Sequence, residues 1–489
     1  MPDHEEIAAE ATKRLTKKQR GFRQDPYRPV YHITAPYGWM NDPNGLIHYR
    51  GEYHLFYQLN PDDPAGGIKH WGHLKSRDLA HWEHLPVALA PSEPYDAAGC
   101  WSGTAVAHHG KLYLFYTGVA GDPPVQSVNV AVSSDGIHFE KHPSNPVVPA
   151  PPPDGSLDCR DPKVWLHNGV WYMLLGTAQK GRGKLALYRS LDLLHWTYMG
   201  IALESDGNQG AMWECPDFFH LGGKDVVLLS PIGVAGEVQG SPVAVTGQMD
   251  YTAGRFIPER WQILDWGPSF YAPQTWWDGQ RRRILMGWME KWGAPMPSQQ
   301  HGWAGAMTIP RVMDLLPDGT IVLQPAPAVS GLRYQHCRWV GLQVDPDTHG
   351  YLPELRGDAL EIIATFDLAG CTASRFGLKL RCSLDGREET VVAYDRNTGR
   401  LEVDRSRSGA GDGGTYGGVL KLGRRDRLQI RLFLDRSSLE VFGDHGRINI
   451  TQRIYPSPDS LGTDLFAEGG SVRLIHLDAW RLGSAFPEE

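Results

Sequence analysis

Short apolar segments recur along the first two thirds of the chain, each bounded by glycine, proline or charged residues. Aromatic and branched residues dominate them, which is typical of short β-strands. With one apolar residue in each segment taken as its marker, the successive steps are 60, 59, 55 and 57 residues. The segments and their markers are GEYHLFYQ (Tyr53), KLYLFYTG (Tyr113), VWYMLLGT (Tyr172), KDVVLLSP (Val227) and RRILMGWM (Ile284).

A second pattern has the same period. Ser-x-Asp-x-x-His followed by Trp or Phe occurs at 76–82, 133–139 and 190–196, in steps of 57 residues. Two patterns with one period indicate a structural repeat. Five copies predict an all-β chain that begins with a five-bladed β-propeller. We expect the aromatic residue of each motif to pack between blades, and the histidine to make a structural hydrogen bond.

Polar residues occupy equivalent positions in these repeats. Asp42, Asp161 and Glu214 precede the markers of their repeats by 11, 11 and 13 residues, and Ser102 precedes its marker by 11. They therefore open the first strand of successive blades. Because that strand lines the central channel of a propeller, the repeat predicts that the three acids converge in one axial funnel.

The C-terminal third has a different pattern. After the proline-rich segment 324–327, apolar and polar residues alternate in runs such as ALEIIATFDL and RLQIRLFLD. Such alternation is typical of an antiparallel β-sandwich. The predicted organisation is a helical arm over 1–27, a five-bladed β-propeller catalytic domain over 28–330 and a β-sandwich domain over 331–489.

Composition narrows the function classes. The net charge of −8 gives no basic surface for a phosphate backbone, so we expect no nucleic-acid partner. No apolar run is long enough to span a membrane, and residues 1–20 lack the apolar segment of a secretory signal. The six cysteines are scattered without a CxxC pair, which indicates neither a zinc nor a redox site. Together these features favour a cytoplasmic protein without a metal.

Three polar segments, each with a neighbouring proline, begin channel strands: WMNDPNG (39–45), RDP (160–162) and ECP (214–216). Two carboxylates across a scissile bond are the minimum for glycoside hydrolysis. A third carboxylate can hold sugar hydroxyls, and Arg160 can offset part of the negative charge. Each segment alone is an ordinary turn sequence, but three segments in phase with the repeat predict a glycosidase site.

In this order and spacing, the segments resemble glycoside hydrolase family 32, the β-fructofuranosidases. The resemblance covers nearly the whole chain and extends to FYQ (56–58), WSG (101–103), YAPQ (271–274) and DRSSLEVF (435–442). It implies a five-bladed propeller with a β-sandwich, and retaining hydrolysis that needs no metal or organic cofactor. The implied substrates are small fructosides: sucrose, sucrose 6-phosphate or short fructo-oligosaccharides.

The resemblance also implies roles for individual residues. Asp42 would be the nucleophile, Glu214 the general acid and base, and Asp161 the group that stabilises the transition state. The motif at 435–442 is expected to be structural or interfacial. The implied substrate-binding residues are Asn41, Gln58, Ser102 and Arg160 around the fructosyl ring, with Trp101, Tyr271 and Trp292 around the pocket.

One departure from the family lies at Gly66, where many members have a pocket tryptophan. The aromatic wall is either missing or supplied by another residue, for which Trp71 is the candidate. The sequence does not decide the leaving-group side of the pocket.

Several alternatives stay open at this point. A levanase, an inulinase or a fructosyltransferase could use the same scaffold, although the absence of a secretory signal favours small imported substrates over polymeric fructan. Presence of all three acids argues against a carbohydrate-binding propeller without catalysis. Arabinan-cleaving propellers generally lack WMNDPNG and the sandwich. The sandwich offers a surface for a homo-oligomer, which the sequence leaves undecided.

Overall fold

The structure is a computed structural model that describes residues 3–19, 25–234, 237–424 and 426–486, with the side chains of 237 and 238 outside the description. Apart from one α-helix and short 3₁₀ turns, regular structure in these ranges is β-strand, so the prediction of a mostly β chain is confirmed. Within the same ranges, no helix has the length and apolar character needed to cross a membrane.

Five sheets follow one another along the chain, and each has four main strands that pair antiparallel with their neighbours in chain order. Sheet 1 contains β1 (Gly38–Tyr49), β2 (Glu52–Asn60), β3 (His70–Ser76) and β4 (Glu83–Leu89). Sheet 2 contains β5 (Gly99–His108), β6 (Lys111–Ala120), β7 (Val125–Ser133) and β8 (Glu140–Lys141). Sheet 3 contains β9 (Cys159–His167), β10 (Val170–Gln179), β11 (Arg182–Ser190) and β12 (Thr197–Glu204).

Sheets 4 and 5 complete this part of the chain. Sheet 4 contains β13 (Met212–Leu221), β14 (Lys224–Val234), β15 (Glu237–Gln239), β16 (Val243–Asp250) and β17 (Arg255–Ile263). Sheet 5 contains β18 (Tyr271–Trp277), β19 (Arg283–Trp288), β21 (Arg311–Leu315) and β22 (Ile321–Pro325), while the short β20 (Trp303–Ala304) pairs in parallel with β1. Each of the five sequence markers lies in the second strand of one sheet, so one copy of the repeat corresponds to one sheet.

The first strands of the five sheets lie side by side. Strands β1, β5, β9, β13 and β18 contact one another in chain order, and β18 contacts β1. This contact cycle is closed. It gathers the starts of five strands, with the predicted acids, around one axis.

The Ser-x-Asp-x-x-His motif forms the turn between the third and fourth strands of sheets 1 to 3. In the first copy, the Asp78 carboxylate accepts hydrogen bonds from the backbone N–H groups of Ala80 and His81, which is how aspartate stabilises turns. The histidine Nδ1 lies 2.7–2.8 Å from the same carboxylate in all three copies. The predicted structural role of these histidines is confirmed.

The aromatic residue after each of these histidines packs toward the preceding sheet. Phe139 meets Phe56 of sheet 1 edge-on at 5.6 Å, and Trp196 meets Phe115 of sheet 2 edge-on at 5.9 Å. Trp82 is buried in one cluster with Ile284 of sheet 5. Packing between sheets, as predicted for these positions, is confirmed.

Helix α1 (His4–Gln19) lies in the predicted N-terminal arm, whose residues 1–2 and 20–24 are outside the described part of the chain. Its buried residues Ala8, Ala11 and Leu15 are spaced as one helical face requires. That face packs on β4 and β8.

Two further sheets form the C-terminal part of the chain. Sheet 6 contains β23 (Arg333–Val344), β24 (Ala359–Asp367), β29 (Arg427–Asp435), β30 (Ser438–Gly443), β31 (Ile448–Arg453) and β33 (Val472–Leu482). Sheet 7 contains β25 (Arg375–Cys382), β26 (Glu389–Asp395), β27 (Arg400–Arg407), β28 (Thr415–Val419) and β32 (Gly462–Glu468). Both sheets contribute to one buried apolar cluster, which makes them a sandwich.

The motif at 435–442 joins the sandwich to the first five sheets. Asp435 accepts hydrogen bonds from the backbone of Tyr31 and His32 at 2.9 and 3.0 Å. Glu440 lies 2.8 Å from His32 Nε2 and accepts from Arg311 Nε at 3.0 Å. All of these side chains are buried. The predicted interfacial role of the motif is confirmed.

We expect the Glu440→Gln substitution to lower the free energy of unfolding by about 3 kcal/mol, because it leaves the Arg311 charge buried with one carboxylate fewer. Urea denaturation measures this value. The matched control is Glu468→Gln, since Glu468 is 55% exposed and pairs with Arg375 at the surface; it should cost less than about 1 kcal/mol. Equal effects of both substitutions would contradict a stabilising role for the buried contact.

Candidate active site

Each of the five first strands has one extra residue relative to its neighbour, at the same level of the sheet. A β-bulge of this kind bends the strand and redirects a side chain. The register shifts fall between Met40 and Pro43, Trp101 and Gly103, Arg160 and Lys163, Glu214 and Asp217, and Tyr271 and Gln274. The bulges explain why a proline is tolerated in four of these strands, since the ladder of hydrogen bonds is already interrupted there.

Three of these bulges hold a residue with positive φ directly before the proline. The angles are 63° at Asp161, 46° at Cys215 and 48° at Ala272. For a residue other than glycine, this conformation costs about 1 kcal/mol or more, and the surrounding structure must hold it. By its place in the bulge, Cys215 rather than Glu214 corresponds to Asp161. Glu214 lies one residue earlier, in the position that Arg160 occupies in sheet 3.

Asp42 is buried and uses a single oxygen for its hydrogen bonds. Oδ2 accepts from the Ser102 hydroxyl at 2.7 Å and from Gln58 Nε2 at 3.3 Å, and the Cys215 thiol lies 3.4 Å away. Gln58 also donates to Ser102. Among the described residues, Oδ1 of Asp42 has no hydrogen-bond partner, so this oxygen is available to a ligand.

Asp161 lies beside Asp42, with Cys215 between them. Its Oδ2 accepts from the Cys215 backbone N–H at 2.8 Å, and the Cys215 thiol is 3.6 Å away. Burial, opposed by the Arg160 charge and reinforced by Glu214 and Asp42, raises the pKa of Asp161 to about 7. Asp161 therefore holds its proton up to the neutral range.

Glu214 lies nearer the opening of the funnel, with a side chain that is 20% exposed. Arg160 donates to its Oε1 from Nη2 at 2.9 Å and from Nε at 3.1 Å. The Tyr271 hydroxyl donates to its Oε2 at 2.7 Å. Burial and the Glu214 charge raise the pKa of Tyr271 well above its usual value, so this hydroxyl keeps its proton and stays a donor.

Aromatic rings line the outer part of the site. The Arg160 guanidinium lies 5.9 Å from the centre of the Trp101 ring. Trp39 donates to the Asn41 side chain at 2.7 Å and stacks on Trp292 with ring centres 5.4 Å apart. Trp292 is 37% exposed, which makes it part of a rim rather than of the core.

All ten residues predicted for the site lie at this end of the funnel. The contacts form three groups: Asp42, Gln58, Ser102 and, through Cys215, Asp161; Glu214, Arg160, Tyr271 and Trp101; and, through Trp39, Asn41 and Trp292. Chain neighbours join these groups, since Asn41 adjoins Asp42 and Arg160 adjoins Asp161. Tyr271 and Arg160 both donate hydrogen bonds to the Glu214 carboxylate.

The candidate for the missing aromatic wall is wrong. Trp71 is fully buried, donates to the Trp101 carbonyl at 3.0 Å and packs on Phe56. It belongs to the core between sheets 1 and 2. No aromatic ring of the described residues lies beside Gly66; the neighbouring group is the Lys69 ammonium, whose Nζ lies 3.8 Å from the point where a side chain at Gly66 would begin.

Sequence reasoning also missed the role of Thr117. Its hydroxyl oxygen accepts the Asp161 backbone N–H at 2.9 Å and supports the strained conformation there. Thr117 lies within a regular apolar strand, and Lys69 ends a glycine-rich loop that has no motif like those around the three acids, so no local signal marks either residue. In the described residues, no group of three or more His, Cys, Asp or Glu side chains is arranged to hold a metal ion.

Comparison with known proteins gives one consistent result. The family model "Glycosyl hydrolases family 32 N-terminal domain" matches residues 32–325, and "Glycosyl hydrolases family 32 C terminal" matches 330–481. The sucrose-6-phosphate hydrolase of Zymomonas mobilis is 39% identical, over 98% of this chain and 96% of its own length. The raffinose invertase of Escherichia coli is 35% identical, over 97% of this chain and 98% of its own.

A solved structure is similar over the same extent. A variant of the Bombyx mori GH32 β-fructofuranosidase, in complex with sucrose, superposes with a TM-score of 0.85 at 33% identity. The match covers 99% of this chain and 100% of that one.

We expect Asp161→Asn to stabilise the protein, more at pH 8 than at pH 5. The pKa of Asp161 rises from 3.8 to about 7 on folding, so across this window unfolding releases a proton and stability falls as the pH rises. The variant lacks this loss and should be about 2–4 kcal/mol more stable than the native protein at pH 8. Urea denaturation at both pH values measures the difference.

The exposed Asp412→Asn serves as the control and should change the free energy of unfolding by less than about 0.5 kcal/mol. A difference between Asp161→Asn and the native protein that stays constant with pH would show that Asp161 titrates normally.

Proposed function

Because the chain belongs to glycosyl hydrolase family 32, it is a glycoside hydrolase, and we propose that Asp42, Asp161 and Glu214 form its catalytic centre. The enzyme releases fructosyl units from sucrose or sucrose 6-phosphate. The observation that carries the assignment of roles is the different setting of the three acids. Two are buried around Cys215, and the third is held near the opening by Arg160 and Tyr271.

The scaffold of this centre is a five-bladed propeller over 28–330, with sheets 1 to 5 as its blades. The closed contact cycle of the first strands supports this count. A helical arm over 1–27 precedes the propeller and a sandwich domain over 331–489 follows it. The two matched family regions, 32–325 and 330–481, support the second boundary.

In the first chemical step, Glu214 donates its proton to the glycosidic oxygen while Asp42 attacks the anomeric carbon of the fructosyl unit. The bond from that carbon to the glycosidic oxygen breaks, and a covalent fructosyl–Asp42 ester forms. Oδ1 of Asp42 is the attacking atom, since Oδ2 is held by Ser102 and Gln58. Those bonds orient the carboxylate before the substrate arrives.

In the second step, Glu214 takes a proton from water, and the resulting hydroxide attacks the same carbon. The ester bond breaks, fructose leaves, and both carboxyl groups return to their starting states. Arg160 and Tyr271 keep the Glu214 side chain in place through both proton transfers. The net configuration is retained because the carbon is inverted twice.

Asp161 holds the fructosyl ring. Its Oδ2 is used by Cys215, whereas Oδ1 has no partner among the described residues. This free oxygen can accept hydrogen bonds from ring hydroxyls, and Asn41, Gln58 and Arg160 are the other polar side chains that we propose contact the ring. Trp101 and Trp292 provide the apolar surface that a sugar face requires.

We propose that the enzyme acts in the cytoplasm. A phosphorylated disaccharide is an anion that does not cross a membrane unaided, and relatives that cover nearly the whole chain are sucrose-6-phosphate hydrolases. Hydrolysis of levan or inulin, or fructosyl transfer to a second sugar, is the alternative. Longer products accumulating at high sucrose concentration would favour transfer.

We expect Asp42→Asn and Glu214→Gln each to reduce kcat for fructose release from sucrose by about 10³-fold or more, because each removes a group that takes part in bond breaking. Enzymatic detection of free fructose measures the rate, and circular dichroism verifies the fold. The matched controls are the exposed Asp412→Asn and Glu354→Gln, which should retain native rates.

The two catalytic variants should differ with β-D-fructofuranosyl fluoride, whose leaving group needs no proton. Glu214→Gln should accumulate a fructosyl ester that peptide mass mapping locates on Asp42, whereas Asp42→Asn should form none. Undiminished sucrose hydrolysis by either variant, or an ester on another residue, would contradict the assigned roles.

A further inference from the structure

Lys69 is a buried cation in the wall of the active-site funnel. The residue is 9% exposed and lies just before β3. Its backbone carbonyl accepts from the Cys100 N–H at 2.8 Å, which joins it to the start of β5 beside Trp101. The position of Lys69 is therefore set by two sheets rather than by a mobile loop.

The ammonium of Lys69 lies between the Trp39 ring and Gly66. Its Nζ is 5.1 Å from the centre of the Trp39 ring and faces the gap beside Gly66. Trp39 is hydrogen-bonded to Asn41, the neighbour of the nucleophile Asp42. The charge is close enough to Asp42 for the two groups to interact electrostatically.

The Lys69 ammonium has no carboxylate in direct contact among the described residues. Across the described ranges it forms no hydrogen bond and no ion pair, whereas Arg160 in the same site is paired with Glu214. Burial lowers the pKa of Lys69 to about 8, and Asp42 only partly opposes that shift. A buried cation without a counter-ion is costly, so an anion that enters the funnel would gain from meeting it.

The Lys69 ammonium lies beside the aromatic stack that extends from Trp39 to the rim. The fructosyl unit must reach Asp42 at the bottom of the funnel, so the other sugar extends outward. The outward wall is the stack of Trp39 on Trp292, which is exposed at the rim. Lys69 stands over the inner member of that stack.

We propose that Lys69 is a specificity residue that binds a phosphate group on the leaving sugar of the fructoside. This inference rests on the proposed function and concerns fructosides whose leaving sugar carries a phosphate. An ammonium donates charge-assisted hydrogen bonds to phosphate oxygens, which are stronger than those it makes to a neutral hydroxyl. Gly66 leaves the room that the phosphate needs, since no side chain there covers the ammonium.

The test compares kcat/KM for two substrates, sucrose 6-phosphate and sucrose. It is made in the native enzyme and in two variants, Lys69→Met and Lys69→Arg. Lys69→Met keeps the length of the side chain and removes its charge, and Lys69→Arg keeps the charge. We define the ratio as kcat/KM for sucrose 6-phosphate divided by kcat/KM for sucrose. In Lys69→Met this ratio should fall about tenfold or more, because one hydrogen bond to a charged group is lost. Lys69→Arg should keep most of the native ratio.

Two controls locate the effect. Sucrose phosphorylated on the fructosyl ring should not show the charge-dependent loss, because that phosphate lies in the deeper part of the funnel. The exposed Lys421→Met removes one positive charge elsewhere and should keep the native ratio. In the native enzyme the ratio should also fall as the pH rises above about 8, and in Lys69→Arg it should not.

The outcomes are distinct. Equal losses on both substrates in Lys69→Met would overturn the proposal and assign Lys69 to sugar hydroxyls or to folding. A loss specific to the fructosyl phosphate would overturn the assignment to the leaving sugar. Failure of the native enzyme to release fructose from either substrate would overturn the proposed function itself, independently of the Lys69 variants.

Discussion

Repulsion among three carboxylates in one buried funnel is the constraint to which the other side chains of the site respond. Each acid is compensated differently. Glu214 is paired with Arg160, and Asp161 keeps its proton into the neutral range. Asp42 receives its donors at a single oxygen. These differences give three chemically similar groups three different electrostatic settings, on which the proposed division of roles rests.

Such compensation works only if the backbone cannot relax, and the scaffold meets this condition at two levels. Locally, bulges in the five first strands aim the side chains inward, and residues such as Asp161 and Cys215 are held in a strained conformation. Globally, the first strands close into a ring and β20 pairs with β1 across the closure. The buried contact of Glu440 with Arg311 and His32 ties the sandwich to that ring.

The parts of the site that could be predicted are those that repeat. Asp42 and Asp161 stand at one phase of a regular period, so their convergence follows from counting residues. Counting residues places Glu214 within one position of its counterpart, but the bulge puts Cys215 in the corresponding position. The side of the sheet that Trp71 faces could not be predicted, because its strand is apolar on both sides, and Trp71 is buried in the core between two sheets.

The period of the sheets, the all-β character, the change of pattern near residue 330 and the convergence of the three acids can be read from the chain alone. They depend on alternation and spacing, which are local properties of a chain. The free oxygen of Asp42, the retained proton of Asp161 and the place of the Lys69 ammonium are known from the folded structure alone. Those properties depend on distances between atoms of different sheets and on exclusion of water, and neither exists until the ring has closed.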